Sequence, residues 1–147
     1  MQSKSDSEQA ERLSRRRARM MPMLAVFVLI QQVIFFTEDG LTDVSIVKTV
    51  AWLALAAVIV AALATGGFWL KPRAVRALMD DEVTRANRAS ALTLGFVVAM
   101  AMGIVLFALE TFAPGSASTR EVIHLIVTFG LVAAMIRFGL LERRALG

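Results

Sequence analysis

Four ionisable side chains stand inside or at the edges of long apolar stretches of this 147-residue sequence: Lys48, Glu110, His124 and Arg137. A charge in such surroundings is costly to keep and is often retained for proton transfer, ion binding or ligand pairing, so these are the first candidates for chemistry. Lys48, Glu110 and His124 share one end of the stretches, near Glu38, Asp39 and Asp43, a composition able to bind protons or a metal. All four, however, lie within about two helical turns of a stretch end, where a long side chain snorkels to water. One histidine among scattered carboxylates also lacks the ligand spacing of a metal site. The expectation is therefore an outer-face polar cluster, with Lys48 paired to Glu110, and no metal.

Other chemistry is equally sparse. There is no cysteine, which removes thiolate nucleophiles, thiolate metal sites and disulfides. No glycine-rich phosphate loop, nucleophile elbow or His-rich zinc motif occurs, so no catalytic residue and no cofactor are expected, and the chain reads as a non-enzyme. Small four-helix multidrug exporters resemble the chain in size, but they carry a carboxylate deep in the first span, where this sequence offers Gln31 and Gln32. Those two amides read as interhelical contacts, because an unpaired amide in hydrocarbon turns towards another helix.

The elements that must carry these residues are apolar helices. The chain is 57% apolar and 19% charged, with a mean hydropathy of +0.66, too apolar for a water-soluble domain. Its charges are crowded between four blocks: 20–36, 49–70, 89–109 and 122–141. Twenty residues of helix reach about 30 Å, the thickness of a hydrocarbon core. The first block follows a basic leader, but it is longer than a signal-peptide core and ends at Thr37-Glu38-Asp39-Gly40 without a cleavage site, so it too reads as a span. In the last connector, Ser118 followed three residues later by Glu121 predicts a capping box at the start of the fourth helix.

Of sixteen Lys and Arg, fourteen fall in the leader (1–19), the 71–88 loop and the last turn and tail. Only Lys48 and Arg120 fall on the other side. The positive-inside rule then predicts an all-α, up-down-up-down four-helix membrane bundle with both termini in the cytoplasm, and so a multi-pass membrane protein. Arg15, Arg16, Arg17, Arg19, Lys71, Arg73, Arg143 and Arg144 read as topology anchors against anionic head groups, with no direct nucleic-acid role.

Helices in lipid gain by close van der Waals contact, which needs rows of small residues. Ala91, Gly95, Ala99 and Gly103 form one such row; Ala57, Ala61 and Thr65 form a second, and Gly130 with Ala134 a third. They predict that spans two, three and four make the tight part of the bundle, with a homodimer face as the alternative use.

The 71–88 loop is the richest polar segment. Arg76 lies in a basic amphipathic piece, and Asp80-Asp81-Glu82 should start a helix running through Arg85 and Arg88 into span three, its acids matching the helix dipole. Asp80-Asp81-Glu82-Val83-Thr84-Arg85-Ala86-Asn87-Arg88 resembles the corresponding stretch of small bacterial inner-membrane proteins, some encoded beside small helix-turn-helix regulators. Over residues 71–144 the resemblance implies a membrane-bound regulator that holds a cytosolic partner, such as a transcription regulator. Partner binding is accordingly expected at Arg76, Asp80, Asp81, Glu82, Arg85 and Arg88, beside the leader and the Glu142-Arg143-Arg144 tail. The runner-up is a small transporter or an accessory subunit of a larger membrane complex.

Overall fold

The computed structural model describes residues 2–36, 43–66, 81–115 and 117–145, and for residues 2–10, 34–36 and 43–45 the backbone alone. They form four helices: α1, Gln2–Phe36; α2, Asp43–Thr65; α3, Glu82–Phe112; and α4, Thr119–Ala145. Among the described residues three stretches, Ile46–Thr65, Glu82–Phe112 and Thr119–Ala145, are long and apolar enough to cross a membrane. Phe96, Met100, Ile104 and Phe107 are exposed on one side of α3 as an extended apolar surface. Such a surface is stable in lipid and aggregates in water, so this is an all-helical membrane protein.

The bundle is organised around α4. Thr128, Leu131, Val132, Ala134, Met135, Phe138 and Glu142 are buried on several sides of it, with α3 and α1 packed closely against it and α2 more sparsely. Against α3 the reason is the small residues. A Cβ placed on Gly95 would fall 2.7 Å from the Gly130 carbonyl oxygen and 2.8 Å from the Ala134 Cβ. Gly103 faces Ile126 Cδ1 more loosely, at 3.6 Å. These pairs run in opposite directions along the two chains, so α3 and α4 are antiparallel.

The α1/α4 joint has a different origin. Pro22 lies inside α1 and has no N–H, so the carbonyl of Ala18, four residues earlier, loses its helical donor. Arg143 supplies one from α4, its Nε donating to the Ala18 oxygen at 3.2 Å. One turn along α4, Gly139 admits the proline ring: a Cβ there would lie 2.8 Å from both Pro22 Cγ and Cδ. Gly139→Ala should therefore destabilise the detergent-solubilised chain by about 1–3 kcal/mol of overpacking, read as a lower melting temperature. Adding Pro22→Ala should relieve most of that loss; an additive double variant would mean that the ring is not the obstacle.

Helix α2 departs from the sequence expectation. Its row Ala57, Ala61 and Thr65 looks away from the core, Ala57 and Thr65 being exposed and Ala61 half-buried; the buried positions are Ala56, Ile59 and Leu63. Larger Ile and Leu side chains hold α2 off the α3/α4 pair, leaving an open apolar groove of about 250 Å³ walled by Val60, Leu63, Phe96, Val127 and Leu131. Thr65 satisfies its hydroxyl on the Ala61 carbonyl, 2.6 Å away, within its own turn. Helix α2 ends at Gly66, whose N–H closes on the Ala62 oxygen at 2.9 Å and whose φ of 85° turns the chain out of the helix. The apolar block was expected to continue to residue 70; residues 67–70 lie outside the described residues.

Two further expectations concern helix starts. Asp81 caps α3 with its Oδ1 accepting the Thr84 N–H at 2.7 Å, and α3 then runs unbroken from Glu82 past Arg85 and Arg88 into the apolar stretch. At α4, Glu121 Oε2 accepts the Ser118 N–H at 2.6 Å and Ser118 Oγ accepts the Glu121 N–H at 3.3 Å, the two halves of a capping box.

Candidate functional site

The densest polar constellation lies where the N-terminal part of α1, the start of α3 and the end of α4 meet. Arg17 Nη2 donates to Glu142 Oε2 in a buried ion pair. The other carboxylate oxygen, Oε1, accepts from Asn87 Nδ2 at 3.1 Å. Arg17 Nη2 also approaches Thr84 Oγ1 at 3.4 Å, and its guanidinium carbon sits 5.1 Å from the centre of the buried Phe138 ring. Only 7% and 4% of the Arg17 and Glu142 side chains remain exposed, against 58% for each member of the surface pair Arg15–Glu11.

Local sequence explains why these side chains converge. Arg17 lies four residues before Met21 and eight before Ala25, on the inward face of α1 that continues to Val28 and Gln32. Glu142 follows Phe138 and Met135 on the inward face of α4. Thr84 and Asn87 lie in the first two turns of α3, whose direction the Asp81 cap fixes. A carboxylate held by a guanidinium and an amide forms a clamp between three helices. Both oxygens of Glu142 are taken up by donors, so the clamp holds geometry and leaves little capacity for acid-base work.

The clamp corrects two readings of the sequence. Arg17, grouped with Arg15, Arg16 and Arg19 as a head-group anchor, is withdrawn into the bundle, because the helical period turns it about half a turn from Arg15 and Arg19 and more than a quarter turn from Arg16. Glu142, assigned to a partner-binding tail, is 3% exposed and unavailable to a partner. Of that tail Arg143 and Arg144 are both exposed, and Arg143 donates to the Ala18 carbonyl.

Of the expected partner-binding residues, Asp81, Glu82 and Arg85 are exposed at the start of α3 and Arg88 is half-buried one turn on. Arg76 and Asp80, with the anchors Lys71 and Arg73, lie outside the described residues. The packing residues Ala91, Gly95, Gly130 and Ala134 are buried between α3 and α4, with Ala99 and Gly103 half-buried at the same seam.

At the opposite end the outer cluster is distributed over several contacts. His124 is buried and stacks on Trp52 of α2, ring centres 4.1 Å apart and planes 30° from parallel. One turn earlier Arg120 Nη2 donates to Thr49 Oγ1 at 2.6 Å. Glu110 Oε1 accepts the Gly115 N–H at 2.6 Å, closing the turn between α3 and α4. Lys48 is exposed on α2, and Arg137 is half-buried on α4. Among the described residues no group of three His, Asp or Glu could hold a metal ion.

Sequence reasoning missed Asn87, Gly139 and the inward turn of Arg17. The available signal was Pro22: a proline inside an apolar helix leaves a carbonyl that some donor must satisfy, and Arg143 was a donor in reach. No family model matches the chain, and no curated protein or solved structure matches it.

Proposed function

We propose that this chain is a four-span protein of a bacterial inner membrane, with its termini and 71–88 loop in the cytoplasm, that captures a cytosolic protein partner, such as a transcription regulator, without catalysing a reaction. The observation that carries this reading is the Arg17–Glu142–Asn87 clamp, which fixes α1 to the starting turns of α3. From Arg17 the helix continues fifteen residues to Gln2, about 22 Å, an arm tied at Arg17 to Thr84 in the turn of α3 that carries exposed Glu82 and Arg85. An arm held at a set angle to a charged helix start is a preorganised docking face, where a loose tail would lose more entropy on binding.

The four-span topology draws support from two features. The apolar part of α1 packs along α4 through Pro22, Ala25 and Val28, while Met23, Phe27, Ile30 and Val33 remain exposed on its far side. The excess of Lys and Arg at the clamp end supports a cytoplasmic assignment of that end.

Affinity purification of the full chain from native membranes in mild detergent, with mass spectrometry of the retained proteins, tests the reading. Replacing Asp80, Glu82 and Arg85 by alanine should remove the soluble partner, with Asp81 kept because it caps α3. A variant that retains every copurifying soluble protein rejects this face as the docking site. Recovery of integral proteins alone would favour a subunit of a membrane complex.

A further inference from the structure

The arginines of α1 divide between two faces. Arg17 turns into the bundle, whereas Arg12, Arg15, Arg16 and Arg19, spaced three, four and seven residues apart, share the opposite side and with Met20 line a shallow open concavity of about 310 Å³. Glu11 takes up Arg15, with Nη2 to Oε1 at 2.6 Å. Arg16 and Arg19 have Arg12, Arg15, Met20 and Met23 at their four-residue spacings, so no carboxylate of α1 lies beside them on that face. The same face continues through exposed Met20, Met23, Phe27 and Ile30. From Arg19 to Ile30 is eleven residues, about 16 Å along the helix, close to the roughly 15 Å depth of one leaflet's hydrocarbon.

We propose that this outer face of α1 binds an anionic phospholipid, its phosphate held by Arg16 and Arg19 and an acyl chain lying along Met20, Met23, Phe27 and Ile30. A guanidinium pairs with phosphate oxygens through two parallel N–H donors, and two arginines a turn apart supply both charge and fixed direction. The match between the apolar row and a single leaflet selects a lipid over a soluble polyanion, which has no use for exposed Phe27 and Ile30. The site rests on the proposed membrane placement of α1, and because it is separate from the α3 docking face it is independent of partner capture.

The test uses the full chain in nanodiscs of phosphatidylcholine with and without phosphatidylglycerol, released gently into native mass spectrometry to count the lipids that stay bound. Phosphatidylglycerol should be retained over phosphatidylcholine. Arg16→Gln with Arg19→Gln should cut that preference roughly thirtyfold, each basic residue near an anionic surface contributing about a factor of five. A charge-matched control, Arg73→Gln with Arg144→Gln, should keep it, and thermal melting in phosphatidylcholine should be unchanged in the Arg16/Arg19 variant. Equal loss in the two variants would reduce the effect to general surface charge and overturn the site. Displacement of the lipid by inorganic phosphate, or tighter binding of a duplex oligonucleotide to the same arginines, would also overturn it.

Discussion

Glu142→Ala should be the most damaging single substitution in the charged end of the bundle, costing about 3–5 kcal/mol because it strands the buried Arg17 guanidinium. The same change at Glu11, whose pair with Arg15 is solvent-exposed, should cost less than about 1 kcal/mol. The contrast isolates burial, since both changes remove a carboxylate partner from an arginine of α1. Replacing the pair together, Arg17→Met with Glu142→Leu, should recover much of the loss, as no charge is then left in the apolar setting. Recovery is incomplete because Asn87 Nδ2 loses its acceptor. Thermal melting of the solubilised full chain measures all of these. Equal melting of Glu142→Ala and Glu11→Ala would mean that the clamp does not hold the helices.

The second large effect separates two glycines of one row. Gly95→Ala should destabilise by about 1–3 kcal/mol, and Gly95→Leu should prevent α3 and α4 from closing, because the new Cβ meets the Gly130 carbonyl and Ala134 Cβ below 3 Å. The obstacles are backbone and a Cβ, neither of which can swing aside. Gly103→Ala should be close to neutral or slightly stabilising: its nearest neighbour, Ile126 Cδ1 at 3.6 Å, is at ordinary contact distance, and alanine is the better helix former. Equal losses at the two positions would show that helix propensity or lipid contact, and not the α3/α4 approach, sets the response. A row of glycines and alanines four residues apart thus has a tight end and a slack end, which spacing alone does not distinguish.

That contrast marks the limit of reading periodicity. Ala57, Ala61 and Thr65 satisfy the same pattern as the α3 row, yet they look outward, because the packed face of α2 is chosen by Ile59 and Leu63. In lipid both faces of such a helix are apolar, so the alternation of polar and apolar residues that orients a surface helix in water is missing. The arginines show the complementary case. Arg15, Arg16, Arg17 and Arg19 are alike in composition, and which one enters the bundle depends on the rotation of α1 against α4, set by the Pro22–Gly139 contact.

The end opposite the clamp was partly readable for a similar reason. Ser118 and Glu121 form their cap from residues three apart on one chain, so the sequence contains all that the interaction needs. The stacking of His124 on Trp52 joins residues of two different helices, and its existence depends on how α2 and α4 are set side by side.

By itself the sequence determined the solvent and the local starts. Backbone amides must be satisfied within helices when lipid replaces water, so long apolar blocks become helices, and Asp81 and Ser118 mark helix starts through hydrogen bonds made within a few residues. Only the tertiary structure decided which side of each helix is inside. It buried Glu142 and Arg17 together, assigned Arg143 to the carbonyl freed by Pro22, and left Arg16 and Arg19 facing outward. The reason is that dispersion contact and the pairing of buried charge act between helices, across more than a hundred residues of chain, and local spacing carries no information about that distance.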